Sequence, residues 1–314
     1  MTTTHPHDSR TRPVTPSDEP SRARTAQRVL ARREARIGLL FVLPAFIVFL
    51  AFRFGPAIAS MALAFTDYTI GATPNWLGLE NFRRMLDDPV FWSALKVTVM
   101  FTVMTVPVSL AMSVGMALLV RRAFRGVGLF RSIFFLPVVT SLVLAATVFT
   151  WIFSSNGPWS SLMGRLGLPE ETWLGNPNLV LPALVVVAVW SRFGYGMLIL
   201  LARLQDVPRE LEEAALTDGA NAWQRFRYIV FPQLRPALFF LAVIETTASF
   251  QVFDLVYVMT GGGPARASYT LVYELYEQGF RYFNLGYASA IGVALFVMTL
   301  VVALIQRWVI GRDR

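Results

Sequence analysis

Long apolar stretches alternate with short polar segments over most of the 314-residue chain, beginning near residue 37. A helix needs about 20 apolar residues to cross a hydrocarbon core of about 30 Å. Three uncharged stretches meet this length: Val97–Val120, Ser132–Phe153 and Leu285–Gln306. Three more meet it with ionisable residues inside: Ile37–Thr66, Leu179–Ala202 and Ala237–Met259. The pattern predicts six transmembrane helices and an all-α, polytopic membrane protein.

Composition supports this prediction and removes several classes of function. Apolar and aromatic residues make up 55% of the chain and charged residues only 15%, whereas soluble domains carry roughly 25% charged residues. The chain has no cysteine, and its two histidines, His5 and His7, lie near the N-terminus. Disulfides, thiolate nucleophiles and membrane-embedded histidine sites are therefore excluded. We expect neither a metal nor a cofactor.

The polar segments divide the chain and indicate its orientation. Residues 1–36 are predicted to be a disordered, basic, cytoplasmic tail, and 37–66 the first transmembrane helix. Residues 67–92 are predicted as an extracytoplasmic loop, and 93–310 as a core of five transmembrane helices. Arginine is concentrated in the tail, in the loop after span two and at the C-terminal end. The positive-inside rule then places both termini in the cytoplasm.

The cytoplasmic loop at 206–236 is the longest polar segment after the tail. Pro208 suits the first turn of a helix, because its missing N–H has no helical partner there. Gly219 can take the left-handed conformation that ends a helix. A second, amphipathic helix should follow, and Pro232 and Pro236 should end it before span five. The loop is predicted to be a helix, a glycine turn and a second helix.

This loop resembles the "EAA" signature of ABC importer permeases. The match consists of Glu213–Ala214–Ala215, then Gly219, then Ile229 and Phe231–Pro232 at the family's spacing, with Phe231 where the family usually has Leu. The resemblance extends over roughly residues 37–310. Three further segments are similar to the sugar-importer branch: Gly78–Phe82, Phe134–Pro137 and Tyr257–Pro264. The resemblance implies the type I ABC importer permease fold in a bacterial plasma membrane.

The resemblance also implies partners and a mechanism. In this family the loop is a coupling helix that docks on a cytoplasmic ATPase. The expected partners are a second permease subunit, two copies of that ATPase, an extracellular solute-binding protein and the lipid bilayer, but no nucleic acid. The chain lacks a nucleotide-binding phosphate loop, so it is not expected to be an enzyme. The candidate coupling residues are Glu213, Ala214, Ala215, Asp218, Gly219, Ile229 and Pro232.

Counted in chain order, the fourth span is Leu179–Ala202 and the fifth is Ala237–Met259. Polar residues within these two spans are candidates for the solute pathway, because such residues are costly in a bilayer. Thr247, Gln251 and Asp254 share one face of an unbroken helix. Gln251 and Asp254 align with amide positions that contact sugar in maltose permeases. On span four, Ser191, Arg192 and Tyr195 form a similar stripe, and Tyr195 aligns with a sugar-contacting tyrosine.

Several alternatives stay open at this point. Arg192 and Asp254 either bind solute or pair to bridge two helices. Glu245 packs against a partner permease, pairs with Arg53 or contacts the solute, and the solute contact is the least favoured of the three. The solute is a carbohydrate, or alternatively glycerol-3-phosphate or a related phosphodiester. An ion-coupled secondary transporter is disfavoured by the coupling loop. An intramembrane enzyme is disfavoured because Glu245 and Asp254, nine residues apart, cannot act as a carboxylate pair on one helix face.

Overall fold

The computed structural model describes residue 34 and residues 37–121, 124–167 and 171–310. In these ranges the regular structure is helical, apart from isolated β-bridges. The predicted tail lies outside the described residues, except for position 34. The helices in chain order are α1 (Ile37–Leu63), α2 (Glu80–Asp87), α3 (Pro89–Arg121), α4 (Val127–Val139), α5 (Leu142–Ile152), α6 (Pro158–Arg165), α7 (Val180–Gln205), α8 (Arg209–Thr217), α9 (Ala222–Phe250), α10 (Asp254–Met259), α11 (Leu271–Tyr276) and α12 (Leu285–Ile310).

Five of these helices are long and apolar enough to cross a membrane: α1, α3, α7, α9 and α12. Helices α4 and α5 together make a sixth candidate span, which bends by 95° between them. The third span predicted over Ser132–Phe153 corresponds to this bent pair, and the all-α membrane class is confirmed. Pro137 inside α4 removes a backbone donor, and Thr140 ends that helix in extended backbone.

The described residues up to Ser60 and those from Met61 onward form two compact units. In the first unit, α1 contains a π-helical turn at Leu50–Phe54 that includes Arg53. The Gly55 N–H bonds to the Leu50 carbonyl, five residues earlier. This wider turn directly precedes Pro56, whose ring would otherwise crowd the preceding turn. The apolar helix thus continues through a proline.

In the second unit, α3 packs along α7, and α9 packs against α3, α7 and α12. Two glycines of α7 allow these close approaches. A Cβ atom at Gly196 would collide with the Ser113 hydroxyl oxygen of α3, and one at Gly194 with the Phe134 carbonyl oxygen of α4. Small residues at such contacts let membrane helices pack at short distance. Helix α7 is accordingly the most buried of the candidate spans.

The start of span five differs from its prediction. Pro232 and Pro236 do not end the second loop helix, because α9 runs without a break from Ala222 to Phe250. A π-helical turn at Phe226–Val230 precedes Pro232, and the Phe231 N–H bonds to the Phe226 carbonyl. As in α1, a widened turn accommodates a proline inside a helix. The second loop helix and span five are one element.

The far end of span five is broken. Helix α9 ends at Phe250, Gln251–Phe253 are not helical, and α10 begins at Asp254. The continuous span predicted over Ala237–Met259 is therefore wrong. A break inside a membrane frees backbone groups that need partners. The Thr270 hydroxyl donates to the Val252 carbonyl at 3.2 Å and so satisfies one of them.

Candidate coupling loop and solute pathway

The coupling loop has the predicted helix, glycine turn and helix. Helix α8 follows Pro208 and ends at Thr217, and Gly219 then takes a left-handed φ of 81°. Asn221 starts α9 with a capping box, in which its side chain and that of Gln224 each accept a backbone N–H. This arrangement satisfies two donors that a helix start otherwise leaves free. The turn and the second helix are therefore defined by local chemistry.

Most candidate coupling residues face solvent. Glu213, Ala214, Asp218 and Gly219 are exposed, whereas Ala215, Ile229 and Pro232 are half-buried. Apolar side chains nearby are also exposed: Leu211 by 47%, Leu216 by 54% and Trp223 by 69%. Exposed apolar groups around a polar motif are typical of a surface that binds another protein.

One contact of the loop could not be predicted from the sequence. The Glu212 carboxylate lies 2.5 Å from the Arg121 guanidinium at the end of α3, and the two residues are 91 positions apart. Both side chains are about three-quarters buried, with exposures of 26% and 22%. Arg121 merely ends an apolar run, so no sequence pattern relates it to Glu212. The contact joins the loop to α3.

Inside the membrane region, Arg192 pairs with Glu245. Arg192 Nη1 lies 3.7 Å from Glu245 Oε2, which is an ion pair longer than a hydrogen bond. Arg192 Nη2 also donates to the Ala248 carbonyl at 3.4 Å. The carboxylate beside Arg192 is that of Glu245 and not that of Asp254, so of the two alternatives left open for Arg192 and Asp254, the bridge between them is not formed. Glu245 is 3% exposed within this chain.

A polar stripe on α3 borders this ion pair. The hydroxyls of Thr105 and Ser109 on α3 and of Ser249 on α9 are buried, and Ser109 lies beside the Glu245 carboxylate. The Ser113 hydroxyl donates to the carbonyl of Phe193, the residue after Arg192. Sequence reasoning missed this stripe, although its members recur every three or four residues, which is the spacing of one helix face. They are Thr98, Thr102, Thr105, Ser109 and Ser113.

The candidate pathway residues do not form the single stripe that the sequence predicted. Thr247 lies on α9, Gln251 in the break and Asp254 at the start of α10. Thr247 and Gln251 open into a groove of about 630 Å³ whose other wall is α12.

The polar groups of these residues are not equally available to a solute. The hydroxyls of Ser191 and Thr247 donate to carbonyls of their own helices, Ala188 and Val243. Tyr195, Gln251 and Asp254 are exposed, so these three side chains can meet a solute. In the described part of the chain, no group of three His, Cys, Asp or Glu could hold a metal ion.

The described residues form an all-helical membrane core with an exposed helix–glycine–helix loop. The sequence profile of the family described as "Binding-protein-dependent transport system inner membrane component" matches residues 109–312. The chain belongs to this family. It is therefore a multi-pass inner-membrane subunit of an ABC importer.

Named relatives cover nearly the whole chain. The sn-glycerol-3-phosphate transport system permease protein UgpA of Agrobacterium fabrum is 36% identical over 85% of this chain and 92% of its own length. The trehalose/maltose transport system permease protein MalF of Thermococcus litoralis is 34% identical over 86% and 92%. A solved bacterial ABC transporter for the acidic polysaccharide alginate matches with a TM-score of 0.79 at 24% identity, covering 90% of this chain and 99% of that chain. The last match describes the fold.

Proposed function

We propose that this chain forms half of the translocation pathway for a carbohydrate that an extracellular solute-binding protein delivers. A second permease subunit supplies the other half, and two copies of a cytoplasmic ATPase supply the energy. Both chain termini and the coupling loop face the cytoplasm in this proposal. The relative from Thermococcus litoralis, a trehalose/maltose permease protein, supports the solute class.

The exposure of α8 supports its role as the coupling helix. Glu213 and Ala214 project into solvent, and Gly219 turns the chain by a conformation that other residues adopt at a cost. The small alanine side chain permits close approach of an ATPase surface, and Glu213 offers a carboxylate for a basic partner group. Asp218, Ala215, Ile229 and Pro232 complete the proposed coupling residues by holding the angle between α8 and α9.

The charges of the pathway favour a neutral, polyhydroxylated solute. Arg192 is balanced by Glu245, so it is a weak site for a phosphate or carboxylate. Asp254 and Gln251 are exposed at the break in span five. A carboxylate can accept hydrogen bonds from two sugar hydroxyls, and an amide can both donate and accept. This charge balance is the observation that carries the proposed solute class.

Glycerol-3-phosphate is the second candidate. The UgpA relative of Agrobacterium fabrum is named for that solute. Arg192 Nη1 also lacks a hydrogen bond at its 3.7 Å distance from Glu245 and could turn toward an anion. In that case solute binding would have to weaken the ion pair.

Uptake measurements distinguish the two candidates. The transporter would be purified from its native host through a tag on this chain, and the subunits that co-purify would be identified. Uptake of labelled trehalose, maltose, lactose and glycerol-3-phosphate would then be compared in proteoliposomes. We expect Asp254→Asn and Gln251→Ala to reduce uptake of a sugar, and Asp87→Asn, an exposed carboxylate at the end of α2, to leave it unchanged. Uptake of glycerol-3-phosphate alone would refute the carbohydrate proposal.

The coupling role and orientation need separate tests. Glu213→Gln should lower transport-coupled ATP hydrolysis more than Glu210→Gln, since both residues are exposed on α8 but only Glu213 belongs to the motif. Because the chain has no cysteine, a single cysteine at Leu216 can be labelled without background. A membrane-impermeant maleimide that labelled it in intact cells would place the loop outside and overturn the proposal.

A further inference from the structure

Helix α8 lies on the surface with few side-chain contacts of its own. Of its side chains that the structure describes, none is buried, and only Glu212 and Ala215 are half-buried. These two residues are three positions apart and so share the inward face of the helix. Glu213 and Ala214 point away from that face. The helix therefore has an outward motif and an inward face on which Glu212 bonds to Arg121.

The chain itself connects α8 to two neighbours. It continues from α7 through Asp206–Pro208 and leads into α9 through Gly219. A Cβ atom at Gly219 would meet nothing within 4 Å, and backbone hydrogen bonds from Gly219 to Leu216 and from Ala220 to Ala215 cross the turn. The Arg121–Glu212 bond adds α3 as a third connection, and it is made by side chains rather than by the chain itself.

The end of α3 that carries Arg121 is itself well anchored. Val120 is fully buried, and its carbonyl accepts a hydrogen bond from Arg131 of α4 at 2.9 Å. Farther along α3, the Ser113 hydroxyl bonds to the Phe193 carbonyl, next to Arg192 in the pathway. The part of α3 from Ser113 to Arg121 contains no proline and has contacts at both levels, so it can transmit a displacement from one end to the other.

We propose that Arg121 and Glu212 form a strut that fixes the angle between α8 and α3, so that movement of α8 is passed to α3 and from there to the pathway. This inference rests on the proposed function in one respect, namely that an ATPase moves α8. Arginine suits the role because its planar guanidinium holds a carboxylate in a defined direction. Both are positioning residues, since neither touches the proposed solute site.

The competing interpretation is an ordinary surface ion pair with no mechanical role, and many such pairs contribute nothing measurable. The two interpretations differ in one respect. A strut requires opposite charges at the two positions but not a particular order of them. Removing either charge should therefore let the angle between α8 and α3 vary, whereas exchanging the two charges should keep that angle as it is in the wild type.

Spin labels can measure this angle in the full-length chain, because no native cysteine interferes. Cysteines at Val103 of α3 and Leu216 of α8 are suitable, as both positions are exposed. Val103 lies 18 residues from Arg121, or about 27 Å along the helix. The wild-type background should give a narrow distance distribution in nanodiscs. Arg121→Gln and Glu212→Gln should each broaden it, and the double variant Arg121→Glu/Glu212→Arg should narrow it again.

Two control variants each remove a charge but leave Arg121 and Glu212 unchanged. Arg125→Gln removes an exposed arginine four residues beyond Arg121, and Glu210→Gln removes an exposed carboxylate of α8. Both should leave the distribution narrow. An unchanged distribution in Arg121→Gln and Glu212→Gln would overturn the proposal, and so would failure of the exchanged pair to restore it.

A second experiment measures transport per ATP hydrolysed in the complex purified with its ATPase. Arg121→Gln should still co-purify with the ATPase, while transport per ATP hydrolysed falls roughly fivefold or more, the size of a typical coupling effect. The exchanged pair should recover it. Full transport per ATP in Arg121→Gln would refute the strut. If instead no ATPase co-purified even with wild-type protein, the proposed function would fail, whereas the spin-label result would still decide the strut.

Discussion

Two ion pairs join distant helices of this chain in very different surroundings. Arg121 and Glu212 meet at 2.5 Å at the coupling loop, where both side chains keep about a quarter of their surface exposed. Arg192 and Glu245 stand 3.7 Å apart in the membrane region, where the Glu245 side chain is 5% exposed and the Arg192 side chain 21%. The two arginines are thus similarly exposed, and the contrast lies in the carboxylates. The closer pair is the one nearer to water.

The difference in burial means that one ion pair can orient a helix while the other affects the free energy of unfolding. A pair near water gains little free energy, because both ions are also well solvated when apart. A buried pair need not stabilise either, but removal of one partner leaves an isolated charge that is expensive to bury. The loop pair is therefore suited to set an angle at low cost. The buried pair is suited to lock the register of α7 against α9.

The largest effect is expected when the buried pair is broken from one side. Glu245→Ala leaves Arg192 without its carboxylate, and removing one partner of a buried pair typically costs about 3–5 kcal/mol. We expect a large drop in the thermal unfolding midpoint of the purified protein. The double variant Arg192→Met/Glu245→Leu should recover most of that loss, because apolar residues can fill the same space. A double variant as unstable as Glu245→Ala would contradict this account.

The buried pair also shows where sequence reasoning reached its limit. The charges within spans four and five identified Arg192 and Asp254 as functional candidates, and periodicity placed Asp254 on the face of Thr247. Periodicity assumes an unbroken helix, and no glycine or proline in Gln251–Phe253 signals a break. The break depends on partners far along the chain, such as the Thr270 hydroxyl. A local pattern does not contain that information.

The coupling loop was predictable for the opposite reason. Pro208 before α8 and Gly219 after it act within a few residues, through a missing N–H and a permitted left-handed φ. Their effect is the same in any fold. Pro232 was misjudged because the π-helical turn before it relieves the ring clash at the cost of one widened turn. The Arg121–Glu212 contact again depends on the assembled fold.

Glu274 of α11 differs from Glu212 and Glu245, because it is a buried carboxyl without a bonded cation. It is fully buried, and neither of its oxygens has a hydrogen-bond partner among the described residues. The pKa of Glu274 is raised from 4.5 to about 7, mainly by burial and to a smaller extent by Asp88 and Glu277, against an opposing effect of Arg266. The folded protein therefore holds this proton more tightly than the unfolded chain does.

The pH dependence of stability follows from that proton. The stabilising contribution of protonated Glu274 is complete below about pH 4.5 and is lost as the pH rises through about 7. The full difference amounts to about 3 kcal/mol, since one pKa unit corresponds to about 1.4 kcal/mol. Glu274→Gln should flatten the decline of the unfolding midpoint between pH 5 and pH 8. Glu80→Gln, at an exposed site, should not alter it. An unchanged pH profile in Glu274→Gln would contradict this account.

A smaller effect is expected at the glycine turn of the loop. Gly219→Ala places a Cβ atom at a φ of 81° but in open space, so the cost is conformational alone, about 1–2 kcal/mol. Gly219→Asn should cost less, because asparagine tolerates the left-handed region better than alanine. Chemical denaturation of both variants tests the order. Equal losses would mean that something other than the backbone conformation governs this turn.

The smallest change in stability is expected at the strut, and it completes the comparison with the buried pair. Arg121→Gln should alter the free energy of unfolding by less than about 1 kcal/mol, because both charges of the strut remain partly solvated. High salt should weaken the attraction between Arg121 and Glu212, as Arg121→Gln does, since the screening length falls from about 10 Å at 0.1 M to about 3 Å at 1 M. High salt should broaden the Val103–Leu216 distance distribution of the wild type toward that of Arg121→Gln. The stability difference between Glu245→Ala and the wild type should change less, because the Glu245 side chain is only 5% exposed. If salt reduced that difference as strongly as it loosened α8, the two ion pairs would not differ in the way that their burial implies.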